Sequence, residues 1–124
     1  MMRKAWVLLA ASALAADMAI NEENFPDPVF LGIVEQDFDV PLNKDGSLNA
    51  TEINDATSLN VQSKGIRSLK GIEHLTALEN LNCANNQLTS LDVRWHTALK
   101  ELACSSNDLT TLDVSRNTKL ETLP

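Results

Sequence analysis

Leu78 to Leu123 reads LENLNCANNQLTSLDVRWHTALKELACSSNDLTTLDVSRNTKLETL, and it falls on itself when shifted by 21 residues. Leu78 lands on Leu99 and Leu120, and Leu81 on Leu102 and Leu123. Cys83 lands on Cys104, Asn86 on Asn107, Leu88 on Leu109, Leu91 on Leu112, Asp92 on Asp113 and Val93 on Val114. Self-similarity at a fixed period of about 20–29 residues predicts a solenoid of stacked coils.

Each unit carries the pattern L-x-x-L-x-C-x-x-N-x-L. Leu81 and Cys83 are two positions apart, so a strand turns both to one face. A single unit has an apolar edge with nothing to cover it. A second copy laid alongside buries that edge continuously, with parallel strands about 4.8 Å apart. Each buried leucine contributes roughly 1.5–3 kcal/mol. Asn86 and Asn107 fall where the chain leaves the strand, and a buried asparagine there can satisfy backbone groups of adjacent turns.

These residues resemble the leucine-rich-repeat family, and within it the short-period bacterial type, internalin-like, whose units read L-x-x-L-x-C-x-x-N-x-L-x-x-L-D-V. The resemblance covers about Ala56 to the end. It implies an α/β chain folded as a curved, right-handed leucine-rich-repeat solenoid, with parallel β-strands on one face and an α-helical N-terminal cap. It also implies binding in place of catalysis.

The formal net charge of −7 is unevenly placed. Ten acidic residues stand against Lys44 alone between Asp17 and Asp55, whereas acidic and basic residues balance at seven each from Ala56 onward. Neither part offers a basic stripe for phosphate backbones, which argues against nucleic-acid binding.

Residues 1–15 read as a signal peptide. Arg3 and Lys4 form a positive start, Ala5 to Leu14 an apolar run, and Ala13-Leu14-Ala15 a small-x-small cleavage site. The run is too short to span a bilayer, which takes about 20 residues. The expected mature start is near Ala16, with no transmembrane segment after cleavage and a secreted or surface location. Residues 16–24 read as a mobile lead.

Residues 25–56 read as a helical cap. Asp27 is a candidate N-cap and Pro28 a candidate first helical residue. Val29, Phe30, Ile33, Val34 and Phe38 recur at helical spacing, with Glu35, Gln36 and Asp37 toward water. The next segment resembles a degenerate EF-hand loop. With Gly46 at loop position six, Asn43, Asp45, Ser47, Asn49 and Glu52 occupy positions three, five, seven, nine and twelve. Position one is Pro41, which has no side-chain oxygen, and Asp39 replaces it only if Pro41 and Leu42 bulge out. Two readings stand: a calcium site on Asp39, Asn43, Asp45, Ser47 and Glu52, or a turn that needs no metal and no cofactor at all. Asn49 and Glu52 also form a capping box that opens a short helix to about Asp55. Asn49-Ala50-Thr51 is formally a glycosylation sequon.

Residues 57–124 make about three coils. The first is one residue longer, and Lys64 stands where later units have Asn86 and Asn107. That departure predicts a first coil without the asparagine ladder, leaning on the cap. By alternation the strand face away from the core holds Ser58, Asn60 and Gln62, then Asn80, Asn82 and Ala84, then Glu101, Ala103 and Ser105. The family resemblance makes this the ligand surface, for a protein or a glycan. The stripe is small, polar and free of aromatics, so a solvated face that binds nothing is the other reading.

Trp95 and His96 break the repeat, with Arg116 and Asn117 at the same place in the next copy. Trp95 either folds over the neighbouring coil or anchors a partner. Cys83 and Cys104 share one inward position on adjacent strands, and their parallel side-chain bonds suit free thiols better than a bridge. His74 and His96 are too isolated for zinc spacing. No nucleophile–base pair, phosphate loop or paired carboxylates recur. Leu120, Leu123 and Pro124 end the chain without a polar coil, predicting a fragment of a longer repeat protein or self-association through that end.

The sequence therefore predicts a non-catalytic recognition module of the leucine-rich-repeat type. Its rival is a structural spacer or capping piece of a larger surface protein with no ligand of its own.

Overall fold

The computed structural model describes residues 17–37 and 46–123. The elements run β1 (Met18–Ala19), α1 (Pro28–Asp37), β2 (Ser47–Leu48), α2 (Ala50–Asp55), β3 (Ser58–Asn60), a 3-10 turn (Ile72–His74), β4 (Asn80–Asn82) and β5 (Glu101–Ala103). The expected signal segment 1–15, Phe38, and the proposed ligands Asp39, Asn43 and Asp45 lie outside the described residues.

The repeats form a parallel sheet in the order β3-β4-β5. Leu59 pairs with Leu81 and Leu81 with Leu102, which is the register the period demands. Thr122 continues the row by bridging Glu101. Leu59, Leu81 and Leu102 are buried, as are Ile66, Leu75, Leu78, Leu88 and Leu99. They join α1 and β2 in one apolar core.

Backbone bonds between coils run on past the three-residue strands, as from Val61 N to Asn82 O and from Ser63 N to Ala84 O, and side chains serve the turns that follow. Asn86 Nδ2 donates to Val61 O of the preceding coil (2.8 Å) and to Cys83 O of its own (3.0 Å). Asn86 Oδ1 accepts from Lys64 N and Ile66 N, each at 3.0 Å. Asn107 repeats this one coil on, donating to Cys83 O at 2.9 Å and accepting from Leu88 N at 3.0 Å. The asparagine thus serves the coil before it. The expectation that the first coil lacks the ladder is corrected: Lys64 contributes its backbone N–H, and the acceptor comes from Asn86.

A left-handed residue precedes each of these positions, with Ser63, Asn85 and Ser106 at φ of 58°, 59° and 57°. The turn is a property of the coil and recurs whatever side chain occupies it.

His96 does not interrupt the stack. It is fully buried, and its Nε2 lies 2.8 Å from Ile72 O one coil back. A carbonyl can only accept, so Nε2 carries the ring proton. Asn117 occupies the same place in the next coil and donates to Val93 O and His96 O, both at 2.9 Å. These two residues make a second ladder on the side away from the strands.

The cap departs from the sequence reading at two points. The lead is held: β1 pairs antiparallel with β2, and Asn24 Nδ2 donates to Ala19 O. Phe25, directly behind the lead that the sequence suggests is mobile, is fully buried. On α1, Phe30 and Val34 are buried but Val29 is 40% exposed. Phe30 and Val34, one turn apart, share a stripe that 100° of rotation takes Val29 off. Phe25 and Phe30 meet edge to face, with centroids 5.7 Å apart.

The predicted caps form. Asp27 Oδ1 accepts from Val29 N (2.9 Å) and Phe30 N (3.2 Å). Asn49 and Glu52 close the capping box, Glu52 N donating to Asn49 Oδ1 (2.8 Å) and Asn49 N to Glu52 Oε1 (2.9 Å). Asp27 does more than cap. Its Oδ2 accepts from Arg67 N (2.8 Å) and Ser68 N (3.2 Å), tying α1 to the first coil.

The extra residue of that coil is placed by the register. Leu69 and Ile72 are the counterparts of Leu91 and Val93, so Lys70-Gly71 stands opposite Asp92 alone. Gly71 has φ 106°, and a Cβ there would run into the Phe25 ring and the Asn24 carbonyl. The insertion is where the cap docks, and only glycine fits it.

Two substitutions test this junction. Asp27→Ala removes a helix cap and leaves Arg67 N and Ser68 N without their acceptor, so urea unfolding should show a loss of about 2–4 kcal/mol. Gly71→Ala should cost a similar amount, about 2–4 kcal/mol, through backbone strain and overlap with Phe25. Wild-type midpoints in either variant would contradict the docking described.

Candidate functional site

The strand face gathers the predicted polar residues into rows because parallel pairing fixes their register. Ser58, Asn80, Glu101 and Thr122 stand side by side, and Asn60, Asn82 and Ala103 form the next row. Together they edge a shallow cleft of about 290 Å³. Part of the face is already spent internally. Asn82 Nδ2 donates to Gln62 Oε1 at 3.0 Å, and Asn60 Oδ1 and Asn82 Oδ1 accept from the backbone of Gln62 and Ala84. Ser58, Glu101 and Ser105 are exposed. Ala84 is buried, since the strand has turned inward by then, and it leaves the predicted face.

A second concavity lies on the return segments. Trp95 is 49% exposed, so about half of it stays open to solvent. Its partner is local: the Arg94 guanidinium lies over the ring, 5.4 Å from its centroid. Arg94 is itself clamped, with Nη2 3.0 Å and Nε 3.1 Å from Asp92 Oδ2. Beside Trp95 is a trough of about 480 Å³ that reaches Ser68, Lys70, Glu73 and Ser90. It runs on into a smaller cleft of about 260 Å³ edged by Asp92, Thr111 and Asp113. The hydrogen bond from Arg94 N holds the Asp92 carboxyl below the usual carboxylate range, helped by the Arg94 side chain. Asp113 is lowered in the same way by hydrogen bonds from Ser115, with Arg116 and Arg94 adding charge. The trough was not foreseen, although the chemistry was visible as one tryptophan where the next copy has arginine.

The calcium set proposed from the sequence is described at Ser47 and Glu52 alone. Of the proposed calcium ligands, Ser47 lies in β2 and Glu52 is buried in α2 within its capping box. Among the described residues no three His, Cys, Asp or Glu side chains cluster as a metal site, and His74 lies 3.7 Å from Glu73. No described helix is long and apolar enough to cross a membrane.

Cys83 and Cys104 are free thiols on adjacent coils. Burial, and then the neighbouring Cys104, pushes the Cys83 thiol up to about 12. Burial also raises Cys104, which is less enclosed.

Coils of one short strand and a return segment, stacked in parallel and stitched by in-register asparagines, define a leucine-rich-repeat solenoid. No protein-family model matches the chain, and no curated protein does. Among solved structures it is similar to the functional domain of InlJ from Listeria monocytogenes, described as including a cysteine ladder. The TM-score is 0.75 at 36% identity, over 86% of this chain and 23% of that one. It is also similar to an internalin, InlF, of the same organism, with a TM-score of 0.69 at 23% identity over 88% and 32% of the two chains. Internalin C2, again from Listeria monocytogenes, gives a TM-score of 0.63 at 19% identity over 91% and 60%. The chain is an internalin-like leucine-rich-repeat protein. It spans less than two thirds of the length of each of these structures.

A raised, buried thiol has little thiolate to react. Iodoacetamide at about pH 8 should leave Cys83 unmodified in the folded chain and modify Cys104 slowly, with both reacting in denaturant. Prompt double alkylation of folded protein, read by mass spectrometry, would rule out the enclosed Cys83.

Proposed function

We propose that the chain is a non-catalytic recognition module, exported to the cell surface or the medium, that binds a protein partner on its strand face. The observation carrying this reading is the row Ser58, Asn80, Glu101 and Thr122, brought into register on three strands and one bridge. Parallel pairing holds these side chains at fixed spacing on a rigid backbone, so little ordering remains to be done on binding. The internalin-like structures support a protein-interaction role for such a solenoid. The apolar run after Arg3 and Lys4 supports export.

The spacer reading draws on one observation: the face carries no aromatic or arginine, the residue types that dominate binding hot spots. An array of purified extracellular proteins, probed with the chain and with Glu101→Arg and Asn80→Arg, separates the two. Recognition predicts at least one partner whose binding falls roughly tenfold or more in both variants at unchanged stability. Absence of saturable partners, or partners indifferent to both changes, supports the spacer.

A further inference from the structure

We propose that the trough beside Trp95 is a binding site for a neutral saccharide, with a sugar ring stacked on the open indole. This site is separate from the strand face and does not rest on its role.

The aromatic platform is built and held. Trp95 is 49% exposed, and its neighbours contact it. Arg94 covers it from one side, and Asp92 fixes Arg94 through two contacts of 3.0 and 3.1 Å. An indole ordered by its neighbours and open to solvent offers a flat apolar surface at low entropic cost. His96 next in the chain is fully buried and bonded to Ile72 O, so the backbone under Trp95 is anchored as well.

The adjoining space and its polar edge suit a ring bearing hydroxyls. A trough of about 480 Å³ falls in the range of about 300–1,000 Å³ typical of small-ligand sites. Ser68 and Ser90 reach it from successive coils, and each hydroxyl can donate or accept. Asp92 carries an ionised carboxylate whose oxygens retain acceptor capacity beyond the Arg94 bonds.

The charges decide the class of ligand. Lys70 and Arg94 balance Glu73 and Asp92 along the trough. Arg94 is spent on Asp92, and Glu73 Oε1 accepts from Gly71 N at 2.8 Å. A site balanced in this way offers no net attraction to an anionic or cationic partner. An uncharged ligand with an apolar ring face and a hydroxyl rim matches both halves of the lining.

The test uses the full chain. Loss of Trp6 with the signal segment, or Trp6→Phe where that segment is retained, leaves Trp95 as the sole indole of the two in the sequence. Fluorescence titration with chitotetraose, cellotetraose and maltotetraose should give a saturable change for at least one, with Kd roughly millimolar or tighter and unmoved by added salt. Saturation-transfer NMR on the unmodified chain should place sugar protons against the indole. Calorimetry with Trp95→Ala, whose melting should be near wild type, should show affinity roughly tenfold or more weaker. Asp92→Asn should weaken binding while the indole contact persists. The site is refuted by no saturable response to any of the three sugars, by binding that survives Trp95→Ala, or by a protein partner occupying Trp95 in the sugars' place.

Discussion

A coil of about 21 residues with only three in a strand has more backbone N–H and C=O groups than neighbouring strands can absorb. Buried, each such group left unpaired costs about 1–3 kcal/mol, enough to cancel a buried leucine. Asn86 and Asn107 resolve this by presenting donor and acceptor together to the turn of the coil before them. One amide side chain closes several bonds that strand pairing cannot reach. His96 and Asn117 perform a narrower version on the far side, each reaching a carbonyl one coil back. The leucine column and the polar ladders therefore depend on one another: the apolar rows can be buried only where the backbone beside them is satisfied.

The same constraint explains the cap. The first coil has no earlier coil to reach back to, so its exposed side needs another cover. Asp27 supplies the missing acceptor for Arg67 N and Ser68 N while also starting α1. Phe25 supplies the apolar cover, and the single extra residue of that coil, Gly71, makes room for it. One carboxylate, one ring and one glycine join the helical segment to the first coil.

Variation between copies separates from the stack along the coil. The side chains that hold the stack face inward or along the turns. The strand face and the Trp95 trough carry the variation between copies: Asn80 becomes Glu101 and then Thr122, while Trp95 becomes Arg116. Repeat architecture permits this, because a surface position can change in one coil without disturbing the inward positions of the next.

Much of this was legible in the residues alone. The period fixed which leucines share a row, and Leu59, Leu81 and Leu102 are paired as it requires. Asp27, Asn49 and Glu52 announced their caps by type and spacing, since capping acts within one turn. What sequence spacing could not decide was any bond between residues far apart in the chain. Asp27 meets Arg67 across 40 residues, and Asn86 serves Lys64 in the coil before its own. Met18 and Ala19 meet β2 far along the chain, and Trp95 stands half open beside Arg94. The residues alone determined the period, the inward face and the helix starts, because those follow from local geometry repeated along the chain. Only the folded chain decided which coil each asparagine serves, where the cap docks and which surfaces stay open, because those depend on how successive turns lie against one another.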